Sequence, residues 1–266
     1  MSAASRPLAA RWSFFWARRD VVGVLTRRIL SGRYHQTLLG VGWAVVHPLL
    51  AIGVFTWVFS HWLADQAPGG SWLAHNALGW VPWGFFTTAL SGSAASLVGH
   101  ADLLHQVALP RLALPLAVLL ARCVDLLLAL VVVFGLLLVD GTPIAGSVWL
   151  VPLPIVGLGL QAVGAGMMLA YVEVRWRDVG QVLPYLLQLG VFVTPVVVPA
   201  AVLAGAWPPL PYVNPAWGHV EAVRGLALGH SLDPSIMAAA WAWTALAIAA
   251  GAFTFRRTQQ HVGEWL

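Results

Sequence analysis

The sequence predicts an all-α integral membrane protein with six transmembrane helices in one domain. Composition is the first reason, since 59% of the 266 residues are hydrophobic, 9% are charged and mean hydropathy is +0.80. An ordinary soluble fold cannot keep so much apolar surface from water. The spacing of long apolar stretches and the one-sided placement of Arg are the second and third reasons.

Six stretches are long and apolar enough to cross a bilayer, which takes about 20 residues of helix. We number them as spans one to six, near 39–63, 77–98, 113–138, 148–172, 183–200 and 236–255. An even number of spans places both termini on the same side of the membrane. The prediction is a transmembrane domain over 38–255 followed by a tail over 256–266.

The placement of Arg orients these spans. All fourteen basic residues are Arg, and twelve of them lie in the first 37 residues, in every second connector and after span six. The connectors near 64–76 and 139–147 carry none. Because loops rich in Arg stay in the cytoplasm, both termini are predicted to be cytoplasmic. The isoelectric point near 10.0 then reflects topology, and nucleic-acid binding is not expected.

Residues 1–37 are predicted to form a cytoplasmic N-terminal segment. Between about 8 and 30, apolar side chains recur at helical spacing against two Arg pairs, which is typical of an amphipathic helix lying in the headgroup plane. The apolar members are Phe14, Phe15, Val21, Val22, Leu25 and Ile29. A solvated basic leader is the alternative.

The connector after span two predicts a short cytoplasmic helix over about 100–112. Leu103, Leu104 and Val107 recur at helical spacing after Asp102, and Pro110 ends the run. An apolar stripe of this kind suits a partner protein that receives a helix in a groove. A helix that only rests on the membrane surface would have the same pattern.

The segment over about 201–233, between spans five and six, is rich in Pro and Gly yet too apolar for a free loop. We expect it to dip back into the outer leaflet, where irregular backbone is tolerated if protein or a water-filled cavity covers it. Glu221 and Arg224 lie three residues apart on its helix-like part, at a spacing that favours an ion pair.

The absence of Lys excludes several chemistries. A P-loop needs Lys to reach the nucleotide phosphates, and Schiff-base and Ser–Lys catalysis need it as well. His100, Asp102 and His105 offer at most a partial metal shell, and Ser93 is only a near miss to the Gly-x-Ser-x-Gly motif of serine hydrolases. The sequence therefore predicts no cofactor, metal or catalytic residue in this chain.

Two sets of side chains within the spans are open to more than one interpretation. Arg122 and Asp125, three apart in span three, are predicted to pair, either as a structural clasp between helices or as a functional site. Aromatic residues recur on spans one and five, where they suit the apolar faces of sugar rings or simply pack. These are Phe55, Phe59, Trp62, Tyr185 and Phe192.

Four stretches resemble, in the same order, the membrane subunits of polysaccharide-exporting ABC transporters. They are the Arg-Tyr to Pro-Leu stretch over 32–50, the Val-Ala-Leu-Pro-Arg stretch over 107–115, Arg177-Asp-Val-Gly180 followed by Thr194-Pro195, and Asn214-Pro215 followed by Arg224. The resemblance covers most of the chain, from about residue 11 to residue 265. Their shared order carries the resemblance more than any one stretch does.

This resemblance implies the type-2 ABC permease fold, with the amphipathic helix as a gate helix, the helix over 100–112 as a coupling helix and re-entrant helices outside. It implies a homodimer in the inner membrane, surrounded by lipid and paired with two copies of a separate P-loop ATPase that binds ATP and Mg. The implied substrate is an undecaprenyl-linked polysaccharide, O-antigen first, with capsule, teichoic acid or another lipid-linked polymer second. An integral-membrane enzyme of envelope synthesis is the alternative from another class.

The resemblance also implies roles by position. Arg33 and Tyr34 would border the cytoplasmic entrance for the lipid-linked sugar pyrophosphate, since a guanidinium forms charge-assisted bonds to phosphate. Spans one and five line the channel in family members, which favours the aromatic set above as channel lining. The chain departs from the family in having no Lys near the coupling segment, where Arg111 stands alone. Docking on the ATPase would fall to Asp102, Leu103, Leu104, His105, Gln106, Val107 and Leu109.

Overall fold

The computed structural model describes residues 19–34, 38–62, 71–102 and 112–258, and these ranges contain helices and turns but no β-strand. Short 3-10 turns lie at Gly40–Gly42, Val98–His100 and Gly146–Leu150. The α-helices are α1 Arg19–Tyr34, α2 Trp43–Trp62, α3 Trp72–Ala94, α4 Ala113–Asp140, α5 Pro152–Arg175, α6 Val179–Val193, α7 Ala200–Ala206, α8 Leu210–Val213, α9 Trp217–Leu228 and α10 Pro234–Thr258.

The backbone conformation of the turn before α2 requires a glycine at position 40. Gly40 has a φ of 52°, a left-handed conformation that residues with a Cβ rarely adopt. The chain then passes through the 3-10 turn into Trp43, the first residue of α2. The Leu39-Gly40 pair in the first sequence stretch therefore marks the point where the first predicted span begins.

Helix α3 lies at the centre of the bundle. It packs against α2, α4, α5, α6 and α9, and most of its side chains are buried. Its first turn is capped by Ser71, whose Oγ accepts a hydrogen bond from Ala74 N at 3.2 Å. Because neighbours shield it from lipid, α3 tolerates polar residues such as His75 and Asn76, which are both almost fully buried.

Four described segments are long and apolar enough to cross a membrane: Gly40–Trp62, Ala113–Asp140, Gly146–Arg175 and Pro234–Arg257. They correspond to spans one, three, four and six. Span two corresponds to α3, which is long enough but more polar than these four segments. Span five corresponds to α6, which is apolar but has only 15 residues. At 1.5 Å per residue α6 is about 22 Å long, less than the hydrocarbon core of about 30 Å.

Span five was expected over 183–200, and the structure places its helix earlier. Helix α6 begins at Val179 and ends at Val193, because Pro195 and Pro199 follow at once. Proline has no backbone N–H and disfavours helical backbone in the residue before it. The chain after Val193 therefore turns and enters the short helix α7 instead of continuing outward.

Helices α5 and α10 approach each other through small residues. A Cβ added to Gly251 would lie 2.3 Å from Gly164 O, and a Cβ on Gly164 would lie 2.6 Å from the carbonyl carbon of Ala247. On the other side of α5, a Cβ on Gly166 would meet Ser93 Cβ at 2.4 Å. These glycines permit close helix packing.

The connectors gather at two ends of the bundle. At one end the α4–α5 connector meets α9, since Ala145 N donates to Ala227 O at 2.8 Å. The start of α3 reaches the same end, where His75 O accepts from Arg224. At the opposite end α1 packs with the start of α4 and the ends of α5 and α10. The described segments predicted to face outside thus share one end.

Helix α1 lies along the first half of α4. Val22 and Leu25 are buried against the small and apolar side chains at the start of α4, while Arg27 and Arg28 are exposed. Thr26 Oγ1 lies 3.5 Å from Ala117 O, one helix beside the other. Residues 19–34 are therefore an amphipathic helix, and its position in the headgroup plane stays a prediction.

Candidate functional site

Five helices enclose a cavity of about 1070 Å³ that opens to the surface of the chain. Its wall is built by the end of α1 and by parts of α2, α3, α4 and α6. From Trp80 to Ser91 on α3 it extends over about 16 Å, at 1.5 Å per residue. We call it the central cavity; its lining includes Arg33, Trp43, His47, Phe55, Trp80, Trp83, Thr87, Thr88, Ser91, Arg122, Asp125, Gln188 and Phe192.

Ring faces and polar groups share the wall of the central cavity. The rings of Phe55 and Trp80 lie 5.2 Å apart between centroids, with 39° between their planes. Thr87 and Thr88 donate their hydroxyl protons to Gly84 O at 3.1 and 2.7 Å, so their oxygens remain acceptors towards a ligand. Apolar ring faces next to hydroxyl groups match the two kinds of surface that a sugar presents.

A charged cluster lies in the same wall. Arg33 Nη1 donates to Asp125 Oδ2, and Arg122 Nη1 is 3.6 Å from the same oxygen. The three side chains are 26%, 20% and 23% exposed for Arg33, Asp125 and Arg122. Arg122 is close to α3 at Gly92, where an added Cβ would be 3.8 Å from Arg122 Nη2. We call these three residues the arginine cluster.

The helix packing explains how Arg33 reaches α4. Arg33 is the second-last residue of α1, and α1 runs in the same direction as α4 from the contact of Thr26 with Ala117 to that of Arg33 with Asp125. These contacts advance by seven residues on α1 and by eight on α4, as expected for two helices side by side. The sequence places Arg33 and Asp125 92 residues apart, so no local pattern predicts their contact.

The predicted channel residues fall into two groups. Phe55 and Phe192 line the central cavity. Phe59 packs on Trp72 with 4.9 Å between centroids, Trp62 is 83% exposed at the end of α2, and Tyr185 is 68% exposed on α6 outside the cavity lining. A lining role in a channel stays a prediction for all of them.

The predicted docking segment falls almost wholly outside the described residues. Asp102 is exposed at the end of a described range, whereas residues 103–111, which hold the other six docking residues, lie outside it. Tyr34 ends α1, but its side chain also lies outside what the structure describes. The coupling assignment and the role of Tyr34 therefore stay predictions.

Sequence reasoning missed the contribution of α3 to the cavity. Trp80, Trp83, Thr87 and Ser91 recur at helical spacing and line it together. That spacing is visible in the sequence of span two. On α6 the polar Gln188 lies one turn before Phe192 and also lines the cavity.

A second polar centre lies at the opposite end of the bundle. Arg224 is 4% exposed and pairs with Glu221 on the same helix, as the spacing predicted. Its Nη2 donates to His75 O at 3.0 Å and to Pro195 O at 2.8 Å, with Val196 O at 3.5 Å. Arg224 therefore joins α9 to α3 and to the turn after α6.

Metal coordination has no support in the part of the chain that the structure describes. No group of three or more His, Cys, Asp or Glu side chains could hold an ion there. His219 Nε2 instead lies 2.9 Å from Thr244 Oγ1, with Gly157 close to its ring. It joins α9 to α10 and α5.

Comparison with known proteins decides the family. Residues 20–228 match the family described as ABC-2 type transporter. The chain belongs to this family. It is therefore the membrane subunit, or permease, of an ABC transporter and not an enzyme, and its family implies a partner ATPase.

Curated relatives agree with this family. Two O-antigen export system permease proteins RfbA from Klebsiella pneumoniae are 23% and 22% identical over 215 and 178 residues, which are 80% and 66% of this chain and 82% and 68% of the relatives. A protein of the same name from Myxococcus xanthus is 26% identical over 185 residues, 70% of each chain. The permease is thus similar to O-antigen export permeases over about two thirds or more of its length.

Proposed function

We propose that this permease exports a lipid-linked polysaccharide, O-antigen in the first place, across the inner membrane, carried on undecaprenyl pyrophosphate. Two copies of the chain and two copies of a separate ATPase would form the complex. Capsule, teichoic acid or another lipid-linked polymer is the second candidate, because the cavity offers both ring faces and polar groups and does not single out one polymer. The names of the curated relatives favour O-antigen.

The central cavity carries this proposal. Its wall contains the paired Phe55 and Trp80 rings, hydroxyl and amide groups, and two guanidinium groups. Stacking rings suit sugars, and Arg suits the phosphate of a carrier lipid. A site for a purely apolar ligand would need neither the hydroxyl groups nor the charge.

The proposed topology has six spans with both termini in the cytoplasm. The one-sided Arg distribution supports it, and so does the gathering of the predicted outside segments at one end of the bundle. Helices α3 and α6 would be the two spans that depend on their neighbours for insertion. The segment with α7, α8 and α9 would be the re-entrant region on the outer side.

The cavity assignment is tested by removing ring faces while keeping apolar side chains. The double variant Phe55→Leu, Trp80→Leu should lower the amount of polymer on the cell surface, because it removes the two flat ring faces on which a sugar would stack. Trp149→Leu is the matched control, because Trp149 is 73% exposed in the α4–α5 connector. Equal export by the double variant and this control, at equal membrane levels, would contradict the assignment.

The substrate is identified by deleting the gene. A lipid-linked polymer should accumulate inside the cell, and mass spectrometry of the accumulated lipid fraction should show O-antigen repeats on a polyprenyl pyrophosphate. Accumulation of capsule or teichoic-acid repeats would replace O-antigen by the second candidate. Accumulation of no lipid-linked polymer would refute the export proposal.

A further inference from the structure

A smaller cavity opens at the end of the bundle that holds α9. It has a volume of about 270 Å³, and its wall is formed by α7, α8, α9, the start of α10 and the connector between α9 and α10. We call it the outer pocket, because the proposed topology places this end of the bundle outside. Its lining residues are different from those of the central cavity.

The connector after α9 folds back over this helix and forms one side of the outer pocket. Helix α9 ends at Leu228, and Gly229 has a left-handed φ of 79°, which permits the reversal. His230 N then donates to Gly225 O at 2.9 Å. A Cβ on Gly225 would lie 2.5 Å from Leu232 Cδ2, so the connector lies directly on α9. These contacts position the polar side chains of the connector.

Polar and apolar groups share the wall of the outer pocket. Four side chains offer carboxylate, imidazole and hydroxyl groups, and they are Glu221 on α9 and His230, Ser231 and Asp233 on the connector. Much of the remaining wall is apolar, with alanines of α7 and with Ile236 and Met237 of α10. The volume lies just below the range of about 300–1,000 Å³ for small-molecule sites, so the pocket suits a single ring.

The charge of Glu221 is compensated within the protein. Arg224 donates to Glu221 Oε1, and Arg224 is itself held by His75 O and Pro195 O at 3.0 and 2.8 Å. The Glu221 side chain is 29% exposed, and this contact does not use its second oxygen. A carboxylate that already has a cationic partner attracts a further cation less, but it still accepts hydrogen bonds.

Asp233 is oriented by the start of α10. Its Oδ1 accepts hydrogen bonds from Ser235 N at 2.8 Å and from Ser235 Oγ at 2.6 Å, and the residue stays exposed. Oriented acceptors beside an apolar wall match a sugar ring, which presents hydroxyl donors at its edge and C–H groups on its faces. A purely apolar ligand would leave both carboxylates unused.

We infer that the outer pocket is a second carbohydrate site, which binds one sugar ring of the exported polymer after that ring has left the central cavity. Glu221 and Asp233 would accept hydrogen bonds from ring hydroxyl groups. That the ring belongs to an exported polymer rests on the proposed function. One polymer can contact both cavities, because Phe192 lines the central cavity and Ala200 the outer pocket, and the chain over these eight positions spans at most about 29 Å.

Binding is measured by saturation-transfer NMR on the full chain assembled with its ATPase, in a detergent without a sugar head group. The probes are the methyl glycosides of glucose, galactose, mannose, rhamnose and N-acetylglucosamine, and cyclohexanol is the ring without a sugar's hydroxyl pattern. The Phe55→Leu, Trp80→Leu background reduces binding by the central cavity. At least one glycoside should bind, and cyclohexanol should not. No transfer to any glycoside, or equal transfer to cyclohexanol, would overturn the inference.

A variant that fills the pocket locates the binding. Ala204→Phe places a ring in the outer pocket, since Ala204 lines it, and it should abolish the glycoside signal. Val202→Phe is the matched control, because Val202 lies on the same helix, is 59% exposed and is outside the lining. It should bind as the background protein does. Equal glycoside binding by the two variants would refute the location.

Ser231→Ala covers the case in which Ala204→Phe disturbs the fold. Ser231 is exposed, so its replacement should leave Tm unchanged. Glycoside binding should weaken by about two- to tenfold, which corresponds to one hydrogen bond. Unchanged binding by Ser231→Ala, together with a destabilised Ala204→Phe, would count against the inference.

A cationic probe tests the competing ligand class. Two carboxylates also suit a basic side chain of another protein, and cadaverine carries the same ammonium group on an aliphatic stem. If cadaverine binds more tightly than every glycoside and Ala204→Phe removes that binding, the pocket receives basic groups and the inference falls. Weaker binding of cadaverine than of a glycoside supports the sugar site.

The gene deletion described above keeps the two proposals apart. Glycoside binding in the outer pocket without accumulated polymer would leave the sugar site in place and refute export. Accumulated polymer without glycoside binding would refute the sugar site and leave the export proposal standing.

Discussion

Replacing Arg224 by Leu should strongly destabilise the end of the bundle that holds α9. Arg224 has 5% of its side chain exposed and donates to His75 O and Pro195 O at 3.0 and 2.8 Å. A hydrogen bond to a charged group contributes about 1.5–3 kcal/mol, and breaking a buried ion pair costs about 3–5 kcal/mol. Because Glu221 also loses its partner, we expect a loss of about 3–5 kcal/mol.

The assay is thermal unfolding of the purified permease in detergent, followed by intrinsic Trp fluorescence. A chain of 150–250 residues loses about 2–4 °C of Tm per kcal/mol, so Arg224→Leu should lower Tm by roughly 10 °C. Arg256→Leu is the matched control, because Arg256 is exposed in the last turn of α10, at the other end of the bundle from Arg224. If both variants melt within 1 °C of each other, Arg224 does not hold these helices together.

Gly79 offers an independent perturbation of the same contact. A Cβ at Gly79 would lie 2.6 Å from Arg224 Nη2 and 2.6 Å from Val196 O, so Gly79→Ala should destabilise by about 1–3 kcal/mol through overpacking. Combined with Arg224→Leu it should cost somewhat less than the sum of the two, because Arg224→Leu removes one of the two groups that the methyl would strike, while Val196 O stays. Strict additivity would show that the two positions act separately.

Three further predictions concern other parts of the chain. The double variant Leu103→Asp, Leu104→Asp should insert normally but abolish export and the ATPase activity of the complex, if the apolar stripe docks on the partner; unchanged export would remove that assignment. Gly251→Leu should separate α10 from α5 at Gly164 and lower Tm by several degrees, whereas a neutral effect would contradict their close packing. Asp233 caps α10, because its Oδ1 accepts hydrogen bonds from Ser235 N and Ser235 Oγ. These bonds lower the pKa of the Asp233 carboxyl. The cap should therefore stabilise fully at neutral pH and weaken as pH falls below the ordinary carboxyl pKa, so Asp233→Asn should reduce the acid dependence of Tm measured between pH 7 and pH 3.

Local patterns were sufficient for several features. Long apolar stretches located spans one, three, four and six to within a few residues, because a helix in lipid must satisfy its own backbone and present apolar side chains. The three-residue spacing of Glu221 and Arg224 led to their pair, which the structure contains. The absence of Lys led to the prediction that this chain has no nucleotide site of the P-loop type.

Other features depended on contacts between distant residues. Span five was predicted too late in the chain, since the apolar stretch continues past Pro195 while the helix does not. Helix α3 forms a large part of the cavity wall, whereas the aromatic spacing indicated only spans one and five. The pairing of Arg33 with Asp125 joins α1 to α4 across 92 residues, and a single sequence contains no signal for it.

The sequence by itself determined that this chain is a membrane protein, how its apolar stretches are spaced and which end of each stretch carries Arg. These features are visible in the sequence because lipid constrains every segment separately. Only the tertiary structure decided that polar α3 is central, that two Arg residues share one Asp, and that ring faces and guanidinium groups meet in one cavity. Those properties depend on which helix faces become neighbours, and side chains on different helices set that choice jointly.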